Sequence, residues 1–158
     1  MSANHPLRIL AERFYSAFMK TRQVASMDLC TVLIEKLKRH PELAYSECPG
    51  GVRIEPPSSS GFAVGLHSDD QEWTVVLGNA GFHEAFNSAE EALSFIAWCY
   101  SGTARVREVW RGSSPEKSVL EAREDGVWRW VSETQFIFVP FWRKRREVVL
   151  ENPNLLKD

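Results

Sequence analysis

The sequence predicts one α+β domain of 158 residues, in which N-terminal helices and one central helix pack on a mainly antiparallel, hairpin-rich sheet. Apolar residues recur at three- and four-residue steps near the N-terminus and again in mid-chain, which is typical of amphipathic helices. Between and after them, short Val-, Phe- and Trp-rich stretches alternate with Gly, Pro, Asn and Asp, which is typical of hairpins. The length fits a single domain over residues 1–158.

The N-terminal helices are predicted over residues 6–40. The first carries an apolar stripe at helical spacing, made by Leu7, Leu10, Phe14 and Phe18. The second is expected to start at an Asp28 cap and to end before Pro41, which cannot continue a helix.

The stretch LAERFYSAFMK, residues 10–20, resembles the opening helix of the cone-shaped α+β folds of the nuclear-transport-factor-2-like family. The resemblance implies a strongly curved sheet around a pocket, and therefore a small-molecule site or an enzyme. The later helix, placed between two β regions, departs from the usual order of that family. No residue roles are carried over from it.

The first β region is predicted over residues 52–86. A loop at residues 47–61, rich in Pro, Gly and Ser, is expected to enclose one strand at residues 52–55. GFAVGLHS and EWTVVLG flank Asp69 and Asp70, which predicts a hairpin, and FHEAF predicts a further short strand.

The central helix is predicted over residues 89–101. Ser88 followed by Glu91 forms a capping box, and Gly102 is the expected stop. The segment ALSFIAWCY is apolar almost all round, so we expect the helix to be covered on two sides.

The second β region is predicted over residues 103–151, with strands at residues 103–111, 117–124, 127–133, 135–141 and 147–150. A two-residue turn at Asp125 and Gly126 fixes the register of one hairpin. It places Arg123 opposite Trp128, Glu121 opposite Trp130, and Leu120 opposite Val131.

Trp128, Trp130, Arg123 and Glu121 therefore share one face of that hairpin, and two interpretations of this face remain open. In the first, charged side chains lie over the indoles through cation–π contacts. In the second, the indoles are partly exposed and bind a protein partner or a second copy of the chain. This set is the candidate interaction site.

A basic run at Arg143, Lys144, Arg145 and Arg146 is an alternative binding patch. It follows FIFVPF, whose alternation predicts a strand buried on both faces, so a charged turn or protected edge is the expected role of the run. Single-strand nucleic-acid binders combine such cations with stacking aromatics. The net charge of −2 and the acidic middle of the chain do not favour a nucleic-acid partner.

The sequence indicates no catalytic residues, no metal ligands and no cofactor. The histidines lack ligand spacing, and His67 and His83 are the only candidate groups for proton transfer. Cys30, Cys48 and Cys99 are odd in number and widely spaced, which is typical of free thiols in a reducing compartment.

No apolar run approaches the roughly 20 residues of a membrane helix, and the N-terminal residues lack an export signal. We therefore expect a cytoplasmic protein without a membrane partner. The sequence favours a small non-catalytic protein-interaction module or homodimer. A small-molecule or enzymatic pocket in a cone-like α+β fold is the alternative, and a nucleic-acid accessory protein is the third hypothesis.

Overall fold

The structure, a computed structural model, describes residues 28–68 and 72–155. Within them, two helices and nine strands form two antiparallel sheets. In chain order the elements are α1 Leu29–Leu37, β1 Tyr45–Cys48, β2 Gly51–Ile54, β3 Val64–Ser68, β4 Trp73–Leu77, β5 Phe82–Phe86, α2 Ala89–Trp98, β6 Ala104–Arg111, β7 Ser114–Glu124, β8 Val127–Gln135 and β9 Arg145–Glu151. Neither described helix is long and apolar enough to span a bilayer.

The two sheets differ in strand order. The first is a meander in the order β1-β2-β3-β4-β5, and the second has the order β8-β7-β6-β9. The α+β class is confirmed, but the prediction of one sheet is wrong. After α2 the chain does not return to pair with β5; instead β6 takes β7 and β9 as its neighbours and starts a new sheet.

Of the predicted N-terminal helices, the structure describes only α1, which follows Asp28 and ends before Pro41. Residues 6–27, including the segment LAERFYSAFMK, lie outside the described residues. Helix α1 buries Leu29, Leu33 and Leu37 and packs on β2 and β3. The side chain of Asp28 makes no capping hydrogen bond to the helix backbone.

Helix α2 forms as its sequence predicts. The Ser88 hydroxyl accepts a hydrogen bond from the Glu91 N–H at 3.3 Å, and Gly102 has a positive φ of 73° where the chain turns away. Every residue from Ala92 to Trp98 is buried, and the helix packs on β4 and β5. The indole N–H of Trp98 donates to Thr103 Oγ1 at 3.0 Å. The predicted burial of this helix is confirmed.

The inner face of the second sheet joins the same core through Ala104, Val106, Leu120, Ala122 and Leu150. Two polar side chains form hydrogen bonds between this sheet and loops of the first sheet. Glu108 Oε1 accepts from the backbone N–H groups of Asn79 and Ala80, at 2.6 and 2.8 Å, in the turn between β4 and β5. Asn152, just after β9, bonds both the N–H and the carbonyl of Phe62 before β3.

Strand β1 was not predicted. The sequence indicated one strand at residues 52–55, whereas the structure has a hairpin in which Tyr45–Cys48 pairs with Gly51–Ile54. Three of the four residues of β1 are exposed, and the strand is at the sheet edge. An exposed edge strand needs no apolar alternation, so its sequence resembles a loop.

The hairpin of β7 and β8 confirms most of the predicted register. Asp125 and Gly126 both have positive φ, and Arg123 and Glu121 pair with Trp128 and Trp130. The predicted pairing of Leu120 with Val131 is wrong, because the register shifts between Leu120 and Glu121 and makes Ser132 the partner of Leu120. Such a bulge leaves one residue of β8 without a direct partner.

The predicted strand at residues 135–141 is also wrong. Strand β8 ends at Gln135, and the chain then runs as a loop until β9 begins at Arg145. Pro140 has no N–H for a ladder, and the residues before it do not pair with the free edge of β8. The apolar residues expected in the core are therefore in a loop.

We expect Glu108→Ala to lower the free energy of unfolding by about 2–4 kcal/mol, because two backbone donors and the Trp110 indole N–H lose their acceptor. Glu108→Gln should cost less, since it retains an oxygen for the turn and loses only the acceptor for Trp110. Urea denaturation gives both values. Glu147→Ala, at an exposed carboxylate, is the control and should change stability by under about 1 kcal/mol. Equal midpoints for all four proteins would contradict the role of Glu108.

Candidate functional site

The outer face of the second sheet, defined here as the face opposite the core, carries the residues that the sequence singled out. Alternation along β6 directs Ala104 and Val106 inward, and Arg105 and Arg107 outward. Glu121 is cross-strand partner to both Arg105 and Trp130, so these side chains lie on the same face. The predicted set is therefore brought together on one sheet face.

Glu121 is the centre of an ion-pair network on the outer face. Its carboxylate is only 7% exposed and accepts from Arg105 Nε at 2.6 Å and from Arg107 Nη2 at 3.3 Å. The two arginines extend to Glu151 and Glu147 on β9, at 3.9 and 3.5 Å. A carboxylate buried this far needs such partners, so Glu121 holds the face together and is not available to a ligand.

Trp128 is half-buried under cations. The guanidinium carbon of Arg105 lies 4.5 Å from the centre of its ring, and that of Arg123 lies 5.9 Å away. The first interpretation of the face, in which charged side chains cover the indole, therefore holds for Trp128. Arg105 was not singled out from the sequence, because it lies two strands from Trp128 and only the order of the strands brings it there.

Trp130 differs from Trp128. It is 62% exposed, and none of the cation–π contacts in the described part of the chain involves it. Trp130 therefore has the exposure that the second interpretation requires. The two tryptophans are two residues apart on one strand, and their different surroundings follow from the arginines that reach one and not the other.

The second exposed apolar surface is the aromatic loop, defined as residues 136–142. Four of its side chains are the most exposed large apolar groups in the described ranges: Ile137 is at 91%, Phe138 at 94%, Phe141 at 77% and Trp142 at 72%, while Phe136 and Val139 are half-buried. Phe141 and Trp142 contact each other edge to face, with ring centres 5.2 Å apart. Exposed large apolar side chains that are grouped in one loop typically mark a binding site.

Both ends of the aromatic loop are fastened to the β6–β7 hairpin. The Phe136 N–H donates to the Glu116 carbonyl, and the Gly112 N–H donates to the Lys144 carbonyl, both at 3.1 Å. The Arg111 guanidinium donates to the Phe141 carbonyl at 3.2 Å and to the Glu116 carboxylate at 2.8 Å. The hydrogen bond from Arg111 holds the pKa of the Glu116 carboxyl below its usual range.

The basic run follows the aromatic loop directly, and its four side chains are exposed. Arg145 lies 3.6 Å from Glu116, and Arg146 lies over the ring of Trp110 at 5.2 Å. Arg143 packs its stem beside Gly112. No carboxylate in the described ranges lies within ion-pairing distance of Arg143 or Lys144. Two of the four cations are thus used within the fold, and two face solvent.

The histidines named as proton-transfer candidates are exposed on strands of the first sheet. His83 Nδ1 lies 3.2 Å from the Gly81 carbonyl, and burial raises the pKa of the neighbouring Glu84 carboxyl. His67 Nδ1 and Cys48 Sγ both lie beside Gly51, without a hydrogen bond between them. Among residues 28–68 and 72–155, no three His, Cys, Asp or Glu side chains form a metal-binding group.

A cavity of about 30 Å³ lies between α1, α2 and β2. Its walls are mainly apolar, with Leu33, Ile54 and Ile96 among them, and Tyr100 contributes a buried hydroxyl that has no hydrogen-bond partner in the described part of the chain. Burial raises the pKa of that hydroxyl. The volume holds about one or two water molecules, and neither His67 nor His83 lines it.

Comparisons of the chain with protein-family models, with curated proteins and with solved structures found no match.

The three thiols differ in burial, and this predicts their reactivity. Burial raises the pKa of Cys30 and of Cys99, while Cys48 is exposed. Because the thiolate is the reactive form, a disulfide reagent should modify one thiol per chain rapidly in the native protein and the other two only on unfolding. Cys48→Ser should remove the rapid phase. Rapid modification of more than one thiol would contradict the described packing of α1 or α2.

Proposed function

We propose that the protein is a non-catalytic interaction module that self-associates through the outer face of its second sheet. The observation that carries the proposal is the 62% exposure of Trp130 on a strand that is hydrogen-bonded along its length to β7. An indole presented on a rigid sheet loses little conformational freedom when it is buried by a partner. Tryptophan is also among the residues that are enriched in interaction hot spots.

A second copy of the chain is the partner that this face fits. Trp130 lies on β8 and the exposed Val149 on β9, at opposite borders of the sheet. Three strand spacings separate them, about 14 Å. A two-fold axis that lies parallel to the face and along its strands would stack the two faces and bring the indole of each copy onto the valine of the other. Both apolar groups of both copies would then be buried by the same contact.

The charges of the outer face support the same arrangement. On this face β9 carries Glu147 and Glu151, together with Arg145 at the start of the strand, and β7 carries Arg123 and Lys117, the second of which lies 3.9 Å from Glu133 on β8. The same two-fold rotation brings the two β9 carboxylates of one copy to the side on which β7 of the other copy carries Arg123. Opposite charges at the rim of an interface fix its register and exclude wrong partners, while the apolar contacts provide most of the affinity.

We expect the protein to sediment as a dimer at micromolar concentration and Trp130→Ser to sediment as a folded monomer, because this indole is exposed in the single chain and its loss removes no core contact. The matched control is Val127→Ser, an exposed apolar residue at the tip of the same hairpin, which should leave the dimer intact.

Two results would contradict the proposal. One is a parent protein that is monomeric throughout the concentration range. The other is a Trp130→Ser variant that remains dimeric, which would move self-association to another surface.

A further inference from the structure

We propose that the aromatic loop, residues 136–142, is a membrane-surface anchor. Its apolar tip enters the interface of an anionic bilayer, and Arg143 and Lys144 contact the lipid headgroups. The proposal goes beyond self-association and uses a different surface, so neither depends on the other. It also reverses the expectation of no membrane partner, which followed from the absence of a long apolar run in the sequence.

The first argument is that the loop is held in its exposed conformation by a scaffold. Arg111 bonds the Phe141 carbonyl at 3.2 Å and is itself fixed by Glu116 at 2.8 Å. Backbone hydrogen bonds to Glu116 and Gly112 close the two ends. The polar groups at the base of the loop are thus bonded within the fold, while the apolar side chains project outward. This arrangement presents apolar groups to the surroundings without burying unpaired backbone groups.

The second argument is the chemistry of the tip. Ile137 and Phe138 are over 90% exposed and follow the half-buried Phe136 at the start of the loop, and Phe141 and Trp142 lie at its end. Aromatic rings of this kind concentrate at the boundary between headgroups and acyl chains, where they contact both media. Segments that lie in that boundary combine Trp, Phe and aliphatic residues with Lys and Arg on the side facing water. The aromatic loop and the basic run together have this composition.

Charge decides between a bilayer and a second copy of the chain as the occupant. If two loops met across a two-fold axis, Arg143 and Lys144 of both copies would approach one another, because a symmetric contact joins the same patch to itself. No carboxylate in the described ranges pairs with these two cations. An anionic lipid surface instead places negative charge beside them while it accepts the apolar tip.

A single-stranded nucleic acid fits the loop less well. Stacking needs ring faces that are open to successive bases. In the loop Phe141 and Trp142 meet edge to face, so the edge of one ring covers one face of the other. The most exposed tip positions include the aliphatic Ile137, which offers a base no aromatic face.

The test is co-sedimentation of the full chain with vesicles of phosphatidylcholine alone and with added phosphatidylserine. We expect binding to the anionic vesicles that weakens as salt is raised, and little binding to the neutral ones. The double variant Arg143→Gln, Lys144→Gln should lower the affinity about thirty-fold, on the scale of two headgroup contacts. Ile137→Ser with Phe138→Ser should lower it at least about tenfold.

Controls separate insertion from loss of folding. Val127→Ser changes an exposed apolar residue away from the loop and should bind as the parent does. The loop variants should keep the parent's unfolding midpoint, because the changed side chains are exposed. Lipids brominated on the acyl chain should quench the fluorescence of Trp142, and Trp142→Phe should remove most of that quenching while it retains binding.

Three results would overturn the proposal. The first is no binding of the parent to anionic vesicles. The second is conversion of a dimer to a monomer by Ile137→Ser with Phe138→Ser, which would make a second copy the occupant. The third is salt-sensitive binding of single-stranded DNA that these loop substitutions abolish, with no vesicle binding. Because Trp130→Ser is tested separately by sedimentation, failure of the anchor and failure of self-association give different results.

Discussion

The arrangement of the two sheets depends on the hydrogen bonds that the buried Glu108 carboxylate accepts. It is 2% exposed and accepts three hydrogen bonds, two from the turn between β4 and β5 and one from the Trp110 indole. No cation shares it in the described residues, so donor groups alone offset the cost of removing the charge from water. Gly78 leaves the space that the carboxylate fills, since a Cβ there would overlap with Glu108 Oε1. The turn of the first sheet is thereby fixed against β6 of the second.

The contact between the two sheets determines which residues lie on the outer face of the second sheet. Once the inner residues of β6 and β7 join the core, strand alternation leaves Arg105, Arg107 and Glu121 on the other side. Their ion pairs cover the centre of this face so well that Val119 is fully buried there. The arginine side chains that lie over Trp128 shield another part of this face from solvent. Trp130 lies beyond the reach of these arginines, and this is why it is exposed where its neighbour is not.

Features that depend on residues close in the chain could be predicted from the sequence, whereas the pairing of distant segments could not. The Ser88 cap, the Asp125-Gly126 turn and the sharing of one face by Trp128 and Trp130 each depend on residues close in the chain, and each is confirmed. The second sheet, the bulge in β8 and the contact of Arg105 with Trp128 depend on strand order, which one sequence does not contain. The aromatic loop was not predicted because its run of apolar residues has the sequence pattern of a buried strand. Pro140 was the available signal against that interpretation.

The described cations divide into those that the fold uses and those that it leaves to solvent. Arg105 and Arg107 neutralise Glu121, and Arg111 holds the base of the aromatic loop together with Glu116. These arginines are ordered by partners and add no charge that a ligand could use. Arg143 and Lys144 follow the loop with no carboxylate partner, so two cations without an ion pair lie beside the most exposed large apolar residues of the described chain. A surface with both properties favours an environment that is itself apolar and anionic within a few ångströms, and the boundary of an anionic bilayer has both features.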